Sequence, residues 1–452
     1  MSDVSQIFKA YDIRGRVGTE LTSDVAKRIG EALGSWLPES GTVAVGRDMR
    51  PDSAELANAV ADGLRSQGRD VMDIGEVTSD MIYFAVGQYK LAGGAMVTAS
   101  HNPGEYNGIK LCREEVKPIG EDTGLYEIRD LVISNKFQPA ATTGKLSSKD
   151  IVADWIQHVL SFIDATKLKP LKIAVDAGNG MAGKIFPALE PHVPWQVKEL
   201  YFELDGSFPN HEANPLKLEN LQDLIKTIKA GHLDGGIAFD GDGDRAVLVD
   251  ETGEPLSGTV LTAILAQYFL KLHPGATILH NAICGQAAVA AIKAAGGKPV
   301  RTRVGHSFIK ADMRTYGAVM GGEHSGHYYF KDNFMADSGL IAAVIGLFIL
   351  SQSGKTLSEL AKPFREAFVQ IPETNFEVKD KDGTLKNIAE SFKDGKQDWL
   401  DGLTVSFGET WFNVRPSNTE PLLRLNAEAK TTEDLDKIVA KVTEIIKSAA
   451  SN

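Results

Sequence analysis

Three aspartates alternate with glycine in Asp240-Gly241-Asp242-Gly243-Asp244, and Arg245 follows directly. Three carboxylates within five residues repel one another, so a cation must sit among them. Glycine at both spacer positions lets the backbone curl until the oxygens converge. Hard oxygen ligands, few in number and with room for further oxygens, suit Mg2+ better than zinc or copper. The hexamer therefore reads as a divalent-metal loop with a guanidinium beside it, a pairing suited to phosphate chemistry. An EF-hand loop also places Asp at its first, third and fifth positions, and Glu251 falls at its twelfth. Arg245 stands, however, where that loop needs glycine. The strand-like run after it would also carry Glu251 roughly 15–20 Å away, at about 3.3 Å per residue. A solvated acidic turn is the plainer alternative, and the rest of the sequence weighs against it.

Three other constellations carry chemistry. Thr98-Ala99-Ser100-His101-Asn102-Pro103 follows the apolar run Gly94-Ala95-Met96-Val97, so a strand delivers a serine and a histidine into a loop ended by proline. α/β sheets place ligands at such strand ends, which marks Ser100 as a nucleophilic or phosphorylated serine, with a polar Asn-Pro turn as the alternative. No G-x-S-x-G elbow supports a serine hydrolase, and the adjacent Ser100 and His101 need not point the same way. Gly322-Glu323-His324-Ser325-Gly326-His327 sets a carboxylate, a hydroxyl and imidazoles between glycines, a pattern that can bracket a polyol. Zinc is disfavoured there because nothing supplies thiolates. Arg415-Pro416-Ser417-Asn418-Thr419-Glu420-Pro421 places a guanidinium beside hydroxyls and an amide, a turn able to hold phosphate. Phe8-Lys9-Ala10-Tyr11-Asp12-Ile13-Arg14-Gly15 and Arg303-Val304-Gly305-His306-Ser307 set further cations near glycine. Two look-alikes are rejected. Gly178-Asn179-Gly180-Met181-Ala182-Gly183 matches a dinucleotide fingerprint without the nucleotide domain around it, and Gly354-Lys355-Thr356 lacks the first glycine of a phosphate loop.

The elements that must position these groups alternate between short apolar strands and helical runs. Thr42–Gly46 precedes a helical run from Ser53 to Gly68, Leu171–Asp176 precedes Ala182–Leu189, and Ala276–His280 precedes a helix reaching Ala295. This alternation argues for α/β units with buried sheets, and its repetition for three related domains. After about Gln370 the strands Asn375–Val378, Leu403–Phe407 and Pro421–Asn426, with a closing amphipathic helix from Thr432 to Ala449, predict a small α+β domain. The expected domains are 1–145, 146–252, 253–368 and 369–452.

Bulk composition fits this picture. A chain of 452 residues is too long for one core. Sixty acidic against 48 basic residues give a net charge of −12, which argues against a nucleic-acid or anionic-membrane surface. Two cysteines, Cys112 and Cys284, fit a reducing compartment. No basic segment followed by an apolar run opens the chain, and the longest apolar run, Leu340 to Leu350, is eleven residues, short of the roughly 20 that span a bilayer. A buried core helix and a cytoplasmic location are expected.

Four motifs in this order closely resemble the α-D-phosphohexomutase family, in particular its bacterial phosphomannomutase/phosphoglucomutase branch, from Tyr11-Asp12-Ile13-Arg14-Gly15 to Arg415-Pro416-Ser417-Asn418-Thr419. The resemblance implies three related mixed-sheet α/β domains plus a smaller C-terminal α+β domain around a central cleft. It makes Ser100 the phosphoserine, and Asp240, Asp242 and Asp244, with a phosphate oxygen on Ser100, the Mg2+ ligands. Glu323 and Ser325 would bind sugar hydroxyls, and Arg415, Ser417, Asn418 and Thr419 the phosphate that is not reacting. Tyr11, Arg14, Lys110, Arg245, His306 and His327 match positions that line the family's cleft. The catalytic candidates are Ser100, His101, Lys110, Arg245 and His327, with Lys110 and His327 as general acid/base.

The implied reaction interconverts mannose 1-phosphate and mannose 6-phosphate, and glucose phosphates as well, through a hexose 1,6-bisphosphate that also activates the enzyme. The Glu323/Ser325 loop of the family contacts the C3 and C4 hydroxyls, so a C2 epimer should be tolerated. The motifs look like the phosphomannomutase side, since phosphoglucosamine mutases tend to carry glycine where Asn418 stands. A phosphoglucosamine mutase, a metal-dependent sugar-phosphate phosphatase and a non-catalytic sugar-phosphate-binding protein are the competing functions. Partners should be small hexose phosphates, with neither nucleic acid nor membrane, for a monomer or small homo-oligomer.

Overall fold

The computed structural model describes residues 4–38, 40–417 and 422–450. The chain divides into two compact units, Met1–Leu256 with Ser325–Ser358, and Ser257–His324 with Glu359–Asn452.

The first unit contains two sheets built on one plan. In the seven-stranded sheet, Val43–Arg47 runs parallel to both Val71–Glu76 and Gly93–Val97. Tyr106–Arg113 then returns antiparallel against Gly93–Val97, with Ile13–Arg16 antiparallel beyond it. In the four-stranded sheet, Leu171–Asp176 runs parallel to Trp195–Leu200 and Gly235–Phe239, and Ala246–Asp250 returns antiparallel against Gly235–Phe239. The strands Gly93–Val97 and Gly235–Phe239 are buried at every position, as expected of central strands covered on both faces. Each ends in one of the motif loops, 98–105 or 240–245, before the chain doubles back. The mixed sheets thus create two equivalent strand ends, one carrying the serine and the other the aspartates.

The apolar run beginning at Leu340 lies in the helix Gly339–Ser353, capped by Ser338 Oγ accepting from Ile341 N at 3.1 Å, and is buried along nearly all its length. Among the described residues no single helix is long and apolar enough to cross a bilayer.

The second unit holds the parallel strands Thr277–Asn281, Lys298–Thr302 and Met320–Gly322, packed with the helices Gly258–Leu272, Gln286–Ala294 and His306–Tyr316. It also holds an antiparallel sheet of Lys396–Asp398, Leu403–Phe407, Thr410–Pro416 and Leu422–Ala429, with Val369–Gln370 and Thr374–Glu377 at the far edge. The helices Lys381–Ser391 and Thr432–Ala450 cover it around a core that includes Ile388, Phe412, Leu425 and Val442. The strand Thr410–Pro416 extends through Arg415, which the sequence places in a turn. Alternation of Trp411, Asn413 and Arg415 with Phe412 and Val414 satisfies both faces of the ladder, so pairing continues.

Candidate active site

The metal loop closes because its two glycines stand where no side chain fits. A Cβ on Gly241 would lie 2.5 Å from Ser100 O, and one on Gly243, at φ +74°, would lie 2.7 Å from Thr78 Cγ2. The first contact means that the aspartate loop and the serine loop touch through backbone. Asp240, Asp242 and Asp244 are buried, and one oxygen from each lies within 4.8 Å of the others.

Ser100 is held in the left-handed region at φ +51°, a conformation costing about 1–3 kcal/mol for a non-glycine residue and kept only where surroundings over-determine it. Its N donates to Thr98 Oγ1 at 2.9 Å, and its Oγ donates to Asp240 Oδ2 at 2.7 Å. Arg245 Nη2 donates to the same Oγ at 3.1 Å, while its Nε donates to Asp240 Oδ2 at 3.0 Å. His101 Nδ1 lies 3.2 Å from Ser100 Oγ and closer still to Arg245 Nη2. The Arg245 cation, and then burial, push the His101 imidazole well below its ordinary pKa, so it is neutral and its Nδ1 accepts from the guanidinium. An imidazole engaged in this way is a poor base for Ser100, which argues against a hydrolase dyad.

Lys110 reaches the cluster from the middle of the strand Tyr106–Arg113. Its Nζ donates to Asp242 Oδ2 at 2.7 Å and to Asp244 Oδ2 at 2.5 Å. Burial opposes its charge, but Asp242 and Asp244 prevail and hold the ammonium above its usual pKa. Burial and repulsion from Asp244 push Asp240 up to about 7. Against the same burial, and against repulsion from Asp244, Lys110 holds Asp242 below the carboxylate range. Lys110 and His327 hold Asp244 well below it, again against burial. His327 Nε2 lies 3.6 Å from Asp244 Oδ1, and its Nδ1 lies 3.0 Å from Ser325 Oγ. Ser79 Oγ and Thr98 Oγ1 also donate to Asp242 Oδ2, whereas Asp242 Oδ1 is buried with no hydrogen-bond partner among the described residues. Three converging carboxylates, two of them with a buried oxygen that has no hydrogen-bond partner among the described residues, suit a hard divalent cation.

Arg14 pairs with Asp12 through Nε at 2.8 Å and reaches Asn102 Oδ1 at 3.4 Å, which ties the N-terminal motif to the serine loop. Tyr11 sits half-buried in the turn before the strand Ile13–Arg16. Glu251 accepts from Ser358 N at 3.1 Å and takes no part in the metal loop, in keeping with the rejected EF-hand.

The remaining candidates belong to the second unit. Glu323 follows the strand Met320–Gly322, buried, with Oε1 accepting from Asn281 Nδ2 at 3.3 Å and from Gly305 N at 3.2 Å. Gly305, at φ +133°, turns the chain into the helix that His306 begins. Arg415 Nη2 donates to Glu373 Oε2 at 3.1 Å. Arg424, directly across the ladder from Arg415, donates to Glu373 Oε1 at 3.0 Å and to Ser417 Oγ at 3.4 Å. Burial opposes the charge of Glu373, yet Arg415, Asn426 and Arg424 keep its pKa low. Asn418 and Thr419 lie outside the described residues. Ser79, Asn281, Glu373 and Arg424 stand outside every chemistry-bearing motif of the sequence. Only the antiparallel register of 410–416 with 422–429, absent from any motif, brings Arg424 to Arg415.

Models of the alpha/beta/alpha domains I, II and III and of the C-terminal domain of phosphoglucomutase/phosphomannomutase match residues 5–139, 153–253, 257–368 and 373–445 in turn. The chain belongs to the phosphoglucomutase/phosphomannomutase family, with its four-domain α/β architecture, and is a mutase of the isomerase class. It is 43% identical over 425 residues to phosphohexose mutases of Xanthomonas campestris pv. campestris (strain B100), covering 94% of this chain and 95% of that one. It is 40% identical over 448 residues to a phosphomannomutase of Salmonella montevideo, covering 97% and 98%. A crystal structure of a family protein from Burkholderia thailandensis superposes with a TM-score of 0.91 at 34% identity, covering 98% of each chain.

Proposed function

We propose that this chain interconverts mannose 1-phosphate and mannose 6-phosphate, with glucose phosphates as further substrates, through a phosphoserine at Ser100 and a hexose 1,6-bisphosphate. The observation that carries the reading is the Ser100 hydroxyl lying 2.7 Å from Asp240 and 3.1 Å from Arg245, on the rim of the acidic cluster. In the first half-reaction the Ser100 Oγ–P bond breaks, a sugar O–P bond forms, and the sugar hydroxyl proton passes to a base. Ser100 Oγ leaves as an alkoxide held by Arg245 Nη2. In the second half-reaction it attacks the other phosphate, and the base returns its proton to the sugar oxygen then released. His327 is assigned as that base. Lys110, held protonated by Asp242 and Asp244, serves as fixed positive charge beside the transferred group, together with Arg245. Mg2+, held by Asp240, Asp242, Asp244 and a phosphate oxygen on Ser100, would supply the remaining charge neutralisation. The bisphosphate then presents its other phosphate to Ser100, which recovers a phosphoryl group, so added bisphosphate primes the enzyme.

Glu323 and Ser325 would hold sugar hydroxyls. Arg415, Ser417, Asn418 and Thr419 would hold the phosphate that is not reacting, with Tyr11, Arg14 and His306 contributing to substrate binding. The proposed domain limits are 1–145, 146–252, 253–368 and 369–452, and the proposed setting is a cytoplasmic monomer or small homo-oligomer. Incubation with mannose 1-phosphate, Mg2+ and trace bisphosphate tests the reading. Mannose 6-phosphate as sole product is expected. Stoichiometric inorganic phosphate would identify a phosphatase, and turnover of glucosamine phosphate alone a phosphoglucosamine mutase.

A further inference from the structure

Outside the catalytic cluster, the most heavily engaged buried cation in the first unit is Arg50, whose side chain is 1% exposed. No motif marks it. Its two Nη atoms meet no carboxylate among the described residues. Instead Nη2 donates to Ser100 O at 2.9 Å and to Asn102 O at 2.6 Å, and Nη1 donates to Pro103 O and Tyr106 O, each at 2.9 Å. Four backbone carbonyls of the serine loop are thus gathered onto one fork. The fork itself is fixed from behind and from above. Asp48 Oδ2 lies 3.3 Å from Nε, and Asp48 is in turn held by Ser53 Oγ and Arg50 N. The Phe208 ring covers the guanidinium at 5.1 Å, and a Cβ on Gly206 would lie 2.6 Å from Arg50 Cα.

We propose that Arg50 is a positioning residue for phosphoryl transfer: it holds the 100–106 backbone in the one conformation that aims Ser100 Oγ at Asp240 and Arg245. Two observations point this way. Ser100 sits at φ +51°, which a free loop would abandon, and the Ser100 carbonyl is itself one of the four acceptors. Turning those carbonyls onto a cation also withdraws their negative ends from the side of the loop that receives phosphoryl oxygens. A point-charge ammonium cannot reproduce the fork, because four carbonyls over seven residues demand its planar spread.

The inference rests on Ser100 being the phosphorylated group, and the test separates the two. First, wild-type protein treated with glucose 1,6-bisphosphate must gain one phosphoryl mass on Ser100; failure there overturns the phosphoserine reading and the Arg50 inference with it. Given that gain, Arg50→Lys is expected to lower kcat about 100-fold, leave KM within about threefold, and slow phosphorylation of Ser100 in parallel, with Tm changed by only a few degrees. Unchanged kcat, or a rise in KM alone, overturns the proposal. Should Arg50→Lys fail to fold, Asp48→Asn keeps the guanidinium but loosens its alignment. A kcat loss of about tenfold at constant KM is then expected, and wild-type kcat overturns the proposal.

Discussion

The serine–aspartate cluster is buried and the Arg415 cluster half-buried, and they carry opposite excess charge. In the first, three carboxylates face two fixed protein cations, Lys110 and Arg245, and the negative excess shows in Asp240, whose carboxyl is pushed up to about 7 by burial and by repulsion from Asp244. In the second, Arg415 and Arg424 share one carboxylate, Glu373, leaving positive charge over. Buried excess charge is costly unless a partner compensates it. Each cluster is therefore suited to a ligand of opposite sign, which on the proposed reading is a metal cation in one and a phosphate in the other. The difference teaches that a metal site and a phosphate site can be told apart by counting protein charges, before any ligand is placed.

The largest effect that would break this comparison is at Ser100. Ser100→Ala should lower kcat by about 10^4-fold or more while Tm stays within a few degrees, because on the proposed reading the group that accepts the phosphoryl is lost and little packing is. Retained turnover would remove the first cluster from the chemistry. Asp242→Asn should come next. It lowers the negative excess, and Mg2+ titration of activity should show a weakened apparent affinity together with a kcat loss of about 100-fold. Arg415→Ala should act on the second cluster differently. It removes a phosphate donor and leaves Glu373 partly uncompensated, so KM for hexose phosphate should rise about 10- to 100-fold with a smaller change in kcat. A pure kcat effect there would reverse the roles assigned to the two clusters.

The smallest expected effect lies away from both clusters, at His280 on the strand Thr277–Asn281. Burial pushes this imidazole down to about 4 from an ordinary value near 6.5. A group depressed in the folded state stabilises fully above its unfolded pKa and loses that contribution as pH falls through the folded value. Stability should therefore decline between pH 6.5 and 4 by at most about 3 kcal/mol from this residue, and His280→Gln should flatten that part of a urea-midpoint profile.

Much of the fold was legible. Leu171–Asp176, Ala182–Leu189 and Leu403–Phe407 begin and end where apolar periodicity and turn residues place them, because local burial pattern and local backbone preference agree there. The strand Thr410–Pro416 was not legible at all, since pairing with 422–429 decides it. In the site, the aspartates and Ser100 stood out by type and spacing. Lys110 entered only by resemblance, since nothing in Tyr106–Arg113 distinguishes it. Arg50 and Glu373 gave no signal, as each acts on segments distant along the chain.

From the amino-acid order alone came the presence of a carboxylate loop with glycine spacers, a serine at a strand end and an arginine followed closely by hydroxyl and amide side chains. Those are properties of a few consecutive residues, where composition and spacing limit the chemistry. Tertiary structure alone decided that Ser100 Oγ meets Asp240 and Arg245, that Lys110 neutralises two of the three aspartates, and that four loop carbonyls converge on Arg50. Such contacts join residues up to 145 positions apart. They arise when two sheets of the same plan bring their strand ends together, which no local spacing encodes.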